Sequence, residues 1–91
     1  VKTVIIDLST IHGGQPRLDK LNSYIRQILK LAGSGNTVIL TGDAPIWMYL
    51  IIAHALNDKA AVLKYVSPET GEITVFNHYI VYFLRHGNAN L

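Results

Sequence analysis

Two short runs of aliphatic and β-branched residues, Thr3 to Leu8 and Thr37 to Thr41, lack the polar–apolar alternation of a half-buried strand. Such runs read as strands buried on both faces, the pattern of a parallel sheet. Between them the apolar residues Leu18, Leu21, Ile25, Ile28, Leu29 and Ala32 recur at steps of three and four, which defines one helical face. Lys20, Arg26 and Lys30 lie largely off that stripe. Asp19 in the first turn and Lys30 in the last suit the helix dipole. Gly13-Gly14 and Pro16 hold the chain out of a helix before Leu18, and Gly33-Ser34-Gly35-Asn36 ends it. A strand, a helix and a second strand in that order form a right-handed crossover with parallel pairing. That unit constrains the rest of the chain.

After Thr41 comes Gly42-Asp43-Ala44-Pro45, with Pro45 suited to the first position of a second helix, from about Pro45 to Leu56. This helix is apolar nearly all round, through Ile46, Trp47, Met48, Leu50, Ile51, Ile52 and Ala53. A helix of that kind is buried on both sides or packs on another subunit. Ala61 to Val66 reads as a third strand. Ser67 to Glu72 reads as a hairpin turn with Gly71 at positive φ, and Ile73 to Phe76 as a fourth strand. Tyr79 to Leu84 is rich in aromatic and β-branched residues and predicts a fifth. The expected fold class is α/β: a small five-stranded mixed sheet in the order β-α-β-α-β-β-β, Rossmann-like or ferredoxin-like, with two helices. Residues 1–86 would form one domain and residues 87–91 a loose tail.

Two helices cannot cover both faces of such a sheet. Hydrophobic residues make up 49% of the 91 and charged residues 15%, which excludes intrinsic disorder and leaves a thin polar surface. Both observations predict a homodimer or higher homo-oligomer. The chain has no Cys, so disulfide scaffolds, thiolate zinc sites and cysteine nucleophiles are excluded. The apolar run Ile46 to Leu56 is too short for a bilayer of about 30 Å. No basic region followed by an apolar stretch opens the chain, so a cytoplasmic protein with no membrane partner is expected. A net charge of +2 without a basic run fits a compact anionic ligand and not a DNA-coating surface.

Ligands of open parallel sheets gather at the carboxyl ends of the strands. Thr41, Gly42, Asp43, Ala44 and Trp47 stand there, with Ser9 at the end of the first strand. The turn opens a helix, so its amides make a phosphate cradle, although no P-loop pattern is present. An ordinary strand-to-helix turn with Asp43 as cap explains the same residues. Trp47 would stack on a base or pack in the core. His54 is a hydrogen-bonded core residue or a general base. Asp58, four residues on, would orient a water beside it, but two ligands are too few to specify a metal. His78 is a turn residue or a second base. His12 reads as an exposed loop residue.

The segments Gly42-Asp43-Ala44-Pro45-Ile46-Trp47-Met48, Ala53-His54, Ser67-Pro68-Glu69-Thr70-Gly71-Glu72-Ile73-Thr74-Val75 and His78 together resemble the Csx-three family of CRISPR-associated ring nucleases. The resemblance runs from Thr37 to His78 and is weaker in the first third. It implies a small α/β protein of type III CRISPR antiviral defence that associates as dimers or larger assemblies. It also implies binding of cyclic tetra-adenylate, and cleavage of that ring or of an RNA end with help from manganese. Gly42, Pro45 and Trp47 match the turn–helix motif, His54 the helix-end histidine, Gly71 the hairpin glycine and His78 the histidine after the strand. The chain departs from the family pattern at Ser67 and Glu69, where the hairpin has Asp and Arg. It departs again at Asn57 or Asp58, where a further histidine stands, and at Ala44, where a second glycine stands. Losing the Asp removes a metal ligand or base, and Glu69 repels the phosphate that an Arg would hold. The residues expected to carry catalysis are therefore His54, His78 and Asp58. Those expected to hold a cyclic oligoadenylate or RNA end are Ser9, Thr41, Gly42, Asp43, Ala44 and Trp47. Two other functions fit the same residues: a non-catalytic oligomeric interaction module, and an RNA-binding, deadenylating nuclease.

Overall fold

The computed structural model describes residues 1–79. Four strands form one sheet in the order β1-β2-β3-β4: β1 (Thr3–Asp7), β2 (Thr37–Thr41), β3 (Val62–Ser67) and β4 (Gly71–Asn77). β1 pairs parallel with β2 and β2 parallel with β3, while β4 returns antiparallel along β3. The Ser67-to-Glu72 turn closes as expected, with Gly71 at φ +65°. The fifth strand expected from Tyr79 to Leu84 and the tail at 87–91 lie outside the described residues beyond Tyr79.

Three α-helices accompany the sheet, not two: α1 (Leu8–His12), α2 (Leu21–Ala32) and α3 (Ile46–Leu56). α1 is one short turn that the sequence reading missed. The Asp7 carboxylate accepts from the Ser9 backbone N–H at 2.9 Å and the Ser9 hydroxyl at 2.6 Å, and Gly13 closes the helix at φ +68°. The long helix expected from Leu18 splits: Leu18–Lys20 is a 3-10 turn, and α2 proper starts at Leu21. α3 begins one residue later than expected, because Pro45 sits in extended backbone at ψ 154° and caps the helix from outside.

Both crossovers run the same way along the sheet, and right-handed connections then put both long helices on one face. The core lies between. Ile6, Val38, Leu40 and Leu63 from the strands meet Tyr24, Ile28 and Ala32 of α2 and Met48, Ile52 and Leu56 of α3. Among the described residues no helix covers the opposite face. Ile5, opposite Ile39 in the pairing, is 68% exposed. The strands are thus buried on one face, not two as their lack of alternation predicted. α3 is likewise buried on one side only. Ile46 at 78% exposure, Leu50 at 66% and His54 at i, i+4, i+8 make its outer stripe. Ile46 and Leu50, with Ile73 and Val75 of β4, border an apolar groove of about 320 Å³. No helix among the described residues is long and apolar enough to cross a membrane.

Two residues on α3 separate the buried side from the outer one. Ile52→Ala should cost about 2–5 kcal/mol, since it opens a void in a fully packed layer. Leu50→Ala should stay within about 0.5 kcal/mol. Urea unfolding of the two variants measures both.

Candidate functional site

The carboxyl ends of β1 and β2 carry two turns that meet in a corner. From β1 come Asp7, Ser9 and His12; from β2 come Thr41, Gly42, Asp43 and Ala44, followed by Trp47 in the first turn of α3. His12 joins them. The Gly14 N–H donates to His12 Nδ1 at 3.0 Å, which leaves the ring proton on Nε2, and Nε2–H donates to the Asp43 carbonyl at 2.7 Å. Far from being a free loop residue, His12 ties the two turns into one surface. Its sequence neighbours Gly13-Gly14 gave no hint of this, because the partner is 31 residues away.

The polar groups of the corner are largely engaged. The Thr41 hydroxyl donates to the Val66 carbonyl at 2.8 Å, which anchors the start of the β3–β4 hairpin beside the corner. The Ser9 hydroxyl is held by Asp7. The Tyr49 hydroxyl donates to the Gly42 carbonyl, and its ring meets Tyr65 edge-on at 5.2 Å. Burial pushes the Tyr49 phenol up to about 12, helped by Tyr65, Asp7 and Asp43, so it remains a donor at all ordinary pH. Gly42 has φ +102°, and a Cβ there would overlap the Asp7 carboxylate. Only glycine lets the two strand ends come this close.

That close approach changes the electrostatics expected from the sequence. Asp43 does not cap α3, and its side chain is exposed. Met48 and Tyr49 both turn their N–H groups to the Pro45 carbonyl, so Ile46 and Trp47 hold the unpaired amides of the first turn. Yet the angle between the turns holds the Asp7 carboxylate, not open amides. Hydrogen bonds from Ser9 hold Asp7 below the usual carboxylate range, so it is ionised at neutral pH. With Asp43 nearby, this corner suits hydroxyl and amino donors better than a phosphate. Trp47 and Ala44 are half-buried against the core, with part of the indole at the surface.

His54, Asp58 and His78 stand elsewhere. α3 carries the chain from the carboxyl end of β2 down to the amino end of β3, and these residues gather at that lower end. His54 is exposed near the end of α3, not a core residue. His78 Nε2 lies 3.1 Å from Asn57 Oδ1, and its ring stacks on Phe76 at 4.4 Å. With the amide oxygen accepting, His78 Nε2 carries a proton. Asn57, one of the two positions (with Asp58) at which the resemblance places a further histidine, is therefore in contact with His78. Among the described residues no group of three or more His, Asp or Glu side chains could hold a metal ion. The described residues at this end do not by themselves fit a manganese site.

Beside the corner, on the far side of His12, a polar cleft of about 410 Å³ opens between the loop at 11–17 and α2. No sequence motif marked it, since its lining comes from scattered single residues. The family model of the CRISPR-associated protein Cas_csx3 matches residues 17–88. No curated protein and no solved structure matches the chain.

The Asp7 cap makes a pH prediction. Its carboxyl is held below 3.8, so the stability it supplies is present above that unfolded value and is lost as pH falls through the lower folded one. The fall in stability between about pH 5 and 2 should be shallower in Asp7→Asn than in the unaltered chain, as followed by thermal unfolding at each pH.

Proposed function

The chain belongs to the Cas_csx3 family of CRISPR-associated proteins, and on that premise we propose that it binds a cyclic oligoadenylate at the corner where β1 and β2 end. The observation that carries this reading is the His12 bridge, which joins the two turns into one continuous surface at the carboxyl edge of parallel strands. The indole of Trp47 offers a stacking face there, and stacking is worth about 1–3 kcal/mol per base. The Asp7 and Asp43 carboxylates accept from ribose hydroxyls and adenine amino groups. Ser9, Thr41, Gly42 and Ala44 shape the seat and do not bond the ligand through free side-chain groups.

Ring cleavage is the further step of this reading. Trp47 and His54 are seven residues apart on α3, about 10 Å of helix rise, so the seat and the histidines stand at opposite ends of the helix. In this reading a second copy brings its lower end, with His54 and His78, onto the seat. There the 2′-oxygen attacks the adjacent phosphorus and the 5′-oxygen leaves. A histidine base such as His78 Nδ1 takes the 2′-hydroxyl proton, and the leaving oxygen regains one from the conjugate acid. Asp58 belongs with that end, where it would orient the base.

Calorimetry with cyclic tetra-adenylate, and chromatography of the products with and without manganese, tests this reading. Binding in the micromolar range or tighter is expected. Trp47→Ala should weaken it by about 5- to 150-fold, the equivalent of one stacked base. His78→Ala should abolish any linear product without changing affinity. Absence of binding at high micromolar protein overturns the reading, and cleavage of a poly-A tail in place of the ring would support the deadenylating nuclease.

A second reading rests on the apolar groove beside Ile46 and Leu50. In it the protein is an interaction module in which a second copy covers that groove, and nucleotide binding is absent. Leu50→Lys should then lower the mass seen by light scattering to that of the monomer. An unchanged mass removes this reading.

A further inference from the structure

We infer that the polar cleft between the 11–17 loop and α2 is a phosphodiester-binding site, and that it takes the backbone phosphates of the nucleotide whose bases lie at the corner. The inference deepens the reading above and rests on it for the identity of the ligand, but not for the chemistry of the cleft.

The cleft is built, not incidental. Gly13 at φ +68° and Gly14 at φ +100° swing the chain away from α1, and Pro16 keeps it extended. The Arg17 backbone N–H donates to the hydroxyl of buried Tyr24 at 3.1 Å and pins the far end of the loop to α2. The cleft is open to solvent on one side, and its volume of about 410 Å³ falls within the roughly 300–1,000 Å³ of ligand sites. Its wall holds His12, Gln15, Arg17, Lys20, Ser23 and Gln27, and no carboxylate among the described residues lines it. That is the reverse of the corner, where Asp7 and Asp43 stand.

The donors suit a phosphate. Asp19 takes Arg17 Nε at 3.0 Å and Nη2 at 2.8 Å, which fixes the plane of the guanidinium and leaves its other N–H groups to donate. Asp19 offsets part of that charge, and Lys20 supplies a second cation beside it. Gln15 and Gln27 add amide donors. His12 lines the cleft and donates to Asp43 at the corner, so one ligand can span both. The two sites divide the chemistry of an oligonucleotide: acceptors at the corner for hydroxyl and amino groups, donors in the cleft for phosphates.

The test uses the full chain with Lys20→Gln, Arg17→Gln and, as a control of equal charge change at the far end of α2, Lys30→Gln. Binding of cyclic tetra-adenylate is measured as a function of salt, and amide shifts are followed by NMR on adding pyrophosphate. Lys20→Gln is expected to weaken binding about tenfold and to lower the salt slope by about 0.7, one phosphate contact on a single strand. Lys30→Gln should do neither. If the ring binds and Lys20→Gln and Arg17→Gln match the unaltered chain, the cleft assignment falls while the corner reading stands. If the ring does not bind but pyrophosphate shifts the amides of Gly14, Arg17 and Lys20, the cleft stands and the oligoadenylate reading falls. If neither probe binds, both fall.

Discussion

Val38, Leu40 and Leu63 are the floor on which this protein is assembled. They stand on one face of two adjoining parallel strands, and both long helices must come to that face to bury their apolar sides. Met48, Ile52 and Leu56 of α3 and Ile28 and Ala32 of α2 fill the layer, with little exposure left to any of them. Burial on this scale is the main favourable term in a small fold. Because it is satisfied on one face, the other face keeps Ile5 in contact with solvent, and the outer stripe of α3 keeps Ile46 and Leu50 there.

The same layering sets where chemistry can occur. Parallel strands point their carboxyl ends one way, so the turns after β1 and β2 share an edge, and the hairpin after β3 rises beside them. α3 then spans the height of the sheet and delivers His54 and Asn57 to the opposite edge, where β4 brings His78. A sequence lays these residues within a few dozen positions of one another, but the topology assigns them to two ends of one protomer.

At the upper edge, charge is sorted over a short distance. Gly42 lets Asp7 pack against the neighbouring strand end, which fills the angle with a carboxylate. His12 crosses from α1 to the Asp43 carbonyl, and past it the lining turns to Arg17, Lys20 and amides. The protein holds an acceptor-rich corner and a donor-rich cleft joined by a single imidazole. A ligand carrying both hydroxyls and phosphates meets complementary groups in each.

Local pattern was enough for much of this chain. The strands β1 to β4, the helical stripe of α2, the stop at Gly33, the turn at Gly71 and the family relation through Gly42, Pro45 and Trp47 are all readable from spacing and residue type. Those features depend on interactions within a few residues, which the order of the chain encodes directly. The short helix at Leu8–His12 escaped because a strand pattern ran into it and its cap at Asp7 is one side chain. The carboxylate in the Gly42 angle, the His12 bridge, the polar cleft and the separation of Trp47 from His78 were decided only by tertiary structure. Each depends on groups distant in sequence being brought together, or kept apart, by the choice of one sheet face for both helices, and no local periodicity carries that choice.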